Sequence, residues 1–130
     1  MNHNKIGEIG EELACLYLIK HGFKILSKNY YKKWGEIDII TRKNDVLRFI
    51  EVKTVSRENI MNVSRETLEQ DRPEENIHEQ KLKRLYRTIQ SYIGENKVSP
   101  ETDWQFDVIA VFLDLNNYNA RIRFMENVVM

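Results

Sequence analysis

Apolar residues recur at helical spacing along the first part of the chain, where Ile6, Ile9, Leu13, Leu16 and Tyr17 lie three or four positions apart or side by side on one stripe. Asn4 is suited to cap such a helix, and Gly22 to stop it after about His21. "FKILSKNY" then reads as a strand, and "WGEIDII" and "LRFIEVKT" as two more, joined by a polar turn at Asn44 and Asp45. Residues 56–76 are polar and without period, which predicts a long loop. A second helix is expected from about Ile77 to Ile93, with Leu82, Leu85, Ile89 and Ile93 on one stripe and Gly94 at its end. "WQFDVIAVFLD" is nearly continuous in apolar residues, as an inner strand is. "NNYN" is a turn, and "ARIRFMENVV" a fifth strand. The order α-β-β-β-α-β-β predicts one α/β domain over residues 1–130, with a central mixed β-sheet flanked by helices.

The second and third strands carry charges where the rest of the segment is apolar. Side chains alternate between faces, so Glu36, Asp38 and Ile40 share one face, as do Phe49, Glu51 and Lys53. A two-residue turn at Asn44-Asp45 sets Asp38 across from Glu51, Glu36 from Lys53, and Ile40 from Phe49, with Ile37–Val52 and Ile39–Ile50 on the core face. Facing carboxylates destabilise a sheet unless a positive charge lies between them. Lys53 offsets one charge. A Mg²⁺ or Mn²⁺ ion does better, because it takes one or two protein carboxylates and keeps positions for water and phosphate oxygens. Lysine beside such an ion suits phosphoryl chemistry, and the group as a whole suits metal-assisted hydrolysis of a phosphodiester. Glu11 is expected to add a third acid. At about 100° per residue it borders a strip of small residues, Gly7, Gly10 and Ala14, that allows the first helix to approach the sheet closely. The plainer reading of the same residues is an ion-pair ladder on a half-exposed sheet face.

Overall charge changes little in this picture, since 20 basic and 20 acidic residues cancel. Their distribution is uneven, with basic excess in residues 1–55 and 81–97 and acidic excess in residues 56–80. Two groups suit a polyanion. "SKNYYKKW" interleaves Lys28, Lys32 and Lys33 with Tyr30, Tyr31 and Trp34, so bases can stack on rings while lysines meet phosphates. Lys81, Lys83, Arg84 and Arg87 form a basic flank on the second helix; a core role for the rings and a solvated role for the charges are the alternatives. No apolar run is long enough for a membrane helix and no secretory pattern opens the chain, so a soluble cytoplasmic protein is expected. The single cysteine, Cys15, excludes an internal disulfide, and three histidines without ligand spacing argue against zinc. Neither a "GxSxG" elbow nor a "GxxxxGK" phosphate loop is present, which argues against a serine hydrolase and an NTPase.

An acid on one strand followed by "ExK" on the next, here Asp38 and Glu51-Val52-Lys53, resembles the PD-(D/E)xK nuclease superfamily, with Ile37 standing where the nominal proline would be. More closely, "GEIGEELA", "NYYKKWGEIDII", "FIEVKT", "EQKLKRL" and "FDVIAV", in that order, resemble the YraN-like family of uncharacterised bacterial proteins, regarded as endonuclease-like and related in fold to Holliday-junction resolvases. The resemblance implies a restriction-endonuclease-like fold. It implies Asp38 and Glu51 as metal ligands, Lys53 as the catalytic lysine, Glu11 as the helix-borne acid, and Lys81 as a phosphate contact. The chain departs from the family at Thr54, where a basic residue is usual, in the glycine-free acidic stretch that follows, and at Gln105, where arginine is usual.

The expected function is therefore a Mg²⁺- or Mn²⁺-dependent endonuclease acting on nucleic acid, DNA first, with branched or structured substrates in view. Asp38, Glu51, Lys53 and Glu11 are the expected catalytic set, with Lys81, Arg84, Lys32, Lys33 and Tyr31 on the nucleic acid. Two alternatives remain open: a nucleic-acid-binding module that does not cleave, and a protein-interaction domain using the 56–76 loop. Analogy with resolvases suggests a homodimer.

Overall fold

A computed structural model describes residues 3–57 and 79–128. Its elements are α1 (His3–Lys20), β1 (Lys24–Lys32), β2 (Gly35–Lys43), β3 (Val46–Arg57), α2 (Glu79–Glu95), β4 (Asp103–Asp114) and β5 (Asn119–Met125), in the expected order. The expected 56–76 loop begins two residues late, since Ser56 and Arg57 extend β3, and its remainder lies outside the described residues, as do the first two positions of the expected second helix.

The strands form one sheet in the order β1-β2-β3-β4-β5. β3 and β4 are parallel and every other pair is antiparallel, so α2 lies on the crossover between the parallel strands. Along β4 the side chains of Ile109, Val111 and Leu113 join Ala14 and Leu18 of α1, while Phe106 and Val108 join Ile89 and Tyr92 of α2. The two helices thus cover opposite faces, and β4, buried from Phe106 to Asp114, is the inner strand its composition predicts.

Local chemistry accounts for the ends of these elements. Gly22 has φ +87°, Phe23 N–H donates to Leu18 O and Gly22 N–H to Ile19 O, which is a Schellman closure of α1. Asn44 and Asp45 both have positive φ (52° and 63°), as a two-residue hairpin turn requires. Two expected boundaries move. Asn4 lies inside α1 rather than capping it. β5 ends at Met125, four residues early, because Asn127 takes a left-handed φ of 53° and its N–H turns inward to Asp107 Oδ1.

The buried line of α1 also differs from the simple apolar stripe. Leu16 is 57% exposed, whereas Gly10, Ala14 and Leu18 face the sheet. Close approach is the reason: a Cβ at Gly10 would overlap the Thr54 side chain on β3, while Gly7 has open space around it. Gly10→Ala is accordingly expected to destabilise the protein by about 1–3 kcal/mol, measured by urea unfolding. A second substitution, Thr54→Ala, should restore most of the loss. An undiminished loss in the double variant would place the cost elsewhere than in this contact.

Candidate active site

The turn at Asn44-Asp45 sets the register of the β2–β3 hairpin, and its paired residues run from Lys43–Val46 to Ile40–Phe49 and Ile39–Ile50, as the sequence predicts. The ladder then stops. Beyond Ile39 the strands part, and Asp38 is not laid directly across from Glu51, nor Glu36 from Lys53. Asp38 Oδ2 instead accepts a hydrogen bond from Val52 N–H at 2.8 Å. A side chain thereby takes the place of the next main-chain acceptor, so the donor freed by the parting strands is satisfied.

The parting has a partner on β1. Lys28 pairs with Ile39 and Tyr30 with Ile37, but Asn29, between them, has φ 53°. Ile39 lies in the core under α1 and Ile37 in the core under α2, although residues two apart on a regular strand share a face. Both strands turn over here, at Asn29 and Asp38. Ile37 and Val52 consequently belong to opposite cores rather than forming the expected pair.

Asp38 occupies the turnover point. Its carboxyl is pushed up to about 7, mainly by burial and further by the charges of Glu11, Glu51 and Glu36, against the lowering effect of the Val52 hydrogen bond. Burial, then Glu36 and Glu8, also raise the Glu11 carboxyl, which Lys28 partly offsets. Asp38 therefore feels three other carboxylates at the end of the β2–β3 hairpin, where the sequence pattern groups two with it and Lys53.

The counter-charge differs from the expectation. Among the described residues no carboxylate pairs with Lys53; Glu51 Oε1 pairs with Lys81 Nζ on α2 at 2.8 Å. Gly35 makes this possible, since a Cβ there would overlap the Thr88 side chain and hold α2 off the start of β2. Beside this ion pair lies an open cleft of about 450 Å³, whose walls include Glu36, Glu51, Tyr31, Lys32, Lys33, Lys81 and Arg84. All five residues expected on nucleic acid line it. Glu11 lines a separate groove between α1 and β1.

Some of the basic and aromatic residues are engaged within the fold. Tyr30 and Lys32 both reach the Glu95 carboxylate at the end of α2, and Tyr30 packs edge-on to Tyr92. The Arg87 guanidinium lies 4.1 Å over the Trp34 ring. Tyr30, Trp34 and Arg87 thus serve the packing of β1 and the β1–β2 turn against α2.

Sequence reasoning missed a buried carboxylate on β4. Asp107 is fully buried; its Oδ1 accepts hydrogen bonds from Gln105 Nε2 at 2.8 Å and Asn127 N–H at 2.7 Å, and its Oδ2 lies 3.5 Å from Arg48 Nη1. Arg48 also pairs with Glu126 at 2.7 Å. Burial still raises the Asp107 carboxyl despite these partners. The signal in the sequence was an aspartate set inside an otherwise apolar strand. Gln105, at the position where the resemblance leads one to expect arginine, is one of its donors.

For a divalent cation, the oxygen donors of Asp38, Glu51, Glu36 and Glu11 are right in kind, since Mg²⁺ and Mn²⁺ prefer carboxylate oxygen. Their mutual repulsion also gives a cation a favourable place. In arrangement the set is open: among the described residues no three ligating side chains are already grouped to hold a metal ion. Lys81 engages one oxygen of Glu51, Oε1, which leaves Oε2 for a cation. No helix among the described residues is long and apolar enough to cross a membrane.

Comparison with known proteins extends the likeness beyond these residues. The UPF0102 protein of Campylobacter jejuni subsp. jejuni serotype O:23/36 is 38% identical over 94% of this chain and 91% of its own length. That of Alkaliphilus oremlandii is 39% identical over 96% and 97%, and that of Chloroherpeton thalassium 37% over 92% and 85%. The profile of the uncharacterised protein family UPF0102 matches residues 10–111, a span that takes in Glu11, the β2–β3 hairpin, the start of α2 and Asp107. On both grounds the chain belongs to the UPF0102 family.

Proposed function

We propose that the chain is a Mg²⁺- or Mn²⁺-dependent nuclease that hydrolyses phosphodiester bonds in nucleic acid, with DNA the first candidate. The observation that supports this reading is the meeting of crowded carboxylates with a cation-lined cleft at one end of the sheet. Carboxylates alone suit a cation, and cations alone suit a phosphate. Their adjacency suits a phosphodiester held against a metal ion.

Asp38 and Glu51 are the proposed ligands, with Glu11 completing the acidic set. A bound Mg²⁺ or Mn²⁺ supplies Lewis-acid polarisation of the phosphate and a more acidic water. Lys53, on the strand that carries Glu51, orients that water or balances the charge that builds on phosphate oxygens. Lys81, held at the cleft by Glu51 Oε1, lies where a substrate phosphate would meet it, and Glu51 Oε2 is left for the metal. Arg84, Lys32 and Lys33 add positive charge along the cleft, and Tyr31 offers a ring.

The test is cleavage of labelled four-way junction, flap, single strand, duplex and structured RNA in Mg²⁺, Mn²⁺ or chelator. Metal-dependent cutting is expected, and Lys53→Ala should lower its rate by about 10²–10³-fold. Cutting that persists in chelator, or that ignores both Lys53→Ala and Asp38→Asn, sinks the proposal. A second reading, a nucleic-acid-binding module without cleavage, is favoured by the absence, among the described residues, of three ligating side chains already grouped for a metal ion. It predicts binding that chelator and Asp38→Asn leave nearly unchanged, with no product.

A further inference from the structure

The cleft beside Glu51 has a volume of about 450 Å³. Pockets for small ligands span roughly 300–1,000 Å³, so it suits one nucleotide and is far too small to admit a double helix. Two kinds of surface meet in it. Half-buried Leu85, backed by the almost fully buried Ile37 and Phe106, forms a small apolar floor continuous with the core under α2. Lys33 and Arg84 stand exposed along its walls, and among the described residues neither is paired with a carboxylate, unlike Lys32 and Lys81.

A ligand that matches both surfaces has a flat apolar part and an anionic part. Phosphates on the outside of an intact duplex match the cations and leave the apolar floor unused. A base still stacked and paired cannot reach that floor, whereas an unpaired base can. Tyr31 adds a third observation. It lines the same cleft, yet 70% of its surface is open to solvent, so an aromatic ring is displayed rather than packed. An exposed ring beside cations is the arrangement that stacks successive bases of single strands with little regard to sequence.

We infer that the cleft takes an unpaired nucleotide, its base on Tyr31 and the apolar floor and its phosphate on Lys33 and Arg84. Single-stranded nucleic acid is then preferred over intact duplex. This specifies the substrate class of the proposed nuclease and rests on that reading only as far as binding nucleic acid; metal and cleavage are not required.

The test is therefore run in chelator, by fluorescence anisotropy at low salt, with a labelled single strand and the blunt duplex of the same sequence. DNA and RNA versions of the strand form separate arms. The strand should bind more tightly than the duplex in at least one arm. Tyr31→Ala should lower strand affinity about tenfold, reduce the strand-to-duplex preference to a similar extent, and leave the fold intact. Tyr31→Trp should retain the preference. Arg84→Ala should weaken both ligands and flatten the salt dependence of binding by about one phosphate contact. Equal binding of strand and duplex, or an equal loss on both in Tyr31→Ala, overturns the inference while leaving a nucleic-acid enzyme in place. Failure to bind any of the probes overturns it together with the nucleic-acid reading.

Discussion

Replacing Asp38 with asparagine is expected to raise stability by about 2–3 kcal/mol at pH 8 while abolishing metal-dependent cleavage. The stability gain follows from the direction in which the fold moves this carboxyl. In the unfolded chain it returns to its ordinary value near 3.8, whereas in the folded protein it is raised to about 7. The stability associated with the neutral carboxyl is complete below about pH 4 and is lost as pH rises through 7. Above that, the fold carries a buried charge facing Glu11, Glu51 and Glu36. A rise from 3.8 to about 7 corresponds to about 4 kcal/mol, and solvent near a partly open site reduces this. Asparagine keeps an oxygen to accept the Val52 N–H and brings no charge. Urea unfolding at pH 5 and pH 8 reads the effect: the wild type should weaken between the two by more than the variant, which keeps only the raised Glu11 and Asp107 carboxyls. Mn²⁺ or Mg²⁺ should raise the thermal midpoint of the wild type at pH 8 and leave the variant unmoved. A variant less stable than wild type at pH 8 would mean that Asp38 matters for its hydrogen bond rather than as an acid in a crowd.

Asp107→Ala is expected to cost about 3–5 kcal/mol. The carboxylate joins three separate pieces of chain: Arg48 on β3, Gln105 on its own strand, and Asn127 after β5. Truncation strands the inward-turned Asn127 N–H and leaves Arg48, 13% exposed, with Glu126 as its carboxylate partner. Buried groups that lose one partner carry the full cost of their own desolvation. Asp107→Asn retains an acceptor for Asn127 and should cost less than half as much. Urea unfolding at neutral pH measures both, and a loss below about 1 kcal/mol in the alanine variant would show that the C-terminal turn is held by something else.

The fold was largely legible because its signals are local. Gly22 closes α1, Asn44 and Asp45 make the hairpin turn, and the apolar run of β4 announces an inner strand. The hairpin register followed from that turn for as long as the ladder lasts. What was not legible is the departure at Asp38. Period-2 reasoning assumes that a strand keeps its faces, and here both strands exchange them at one step; Asn29, a residue that tolerates left-handed backbone, was the sole hint. Glu51 likewise gave no sign that its partner is Lys81 rather than Lys53. The partner lies on another element, brought close by the packing of α2 over Gly35 rather than by proximity in sequence. The residues of the candidate site were readable, but their pairings depended on long-range contacts.

The turnover at Asn29 bears on how the molecules behave in a crowd. β1 is an outermost strand, and such edges recruit strands from neighbouring molecules into extended stacks. Here a register shift between Ile25 and Ser27 and the left-handed Asn29 break the row of outward main-chain groups twice within nine residues. Exposed Lys24 and Lys28 add like-charge repulsion between approaching copies. The backbone distortion that allows Asp38 to reach its neighbours therefore also makes this edge a poor template for aggregation, so one irregularity serves both the chemistry of the interior and the solubility of the surface.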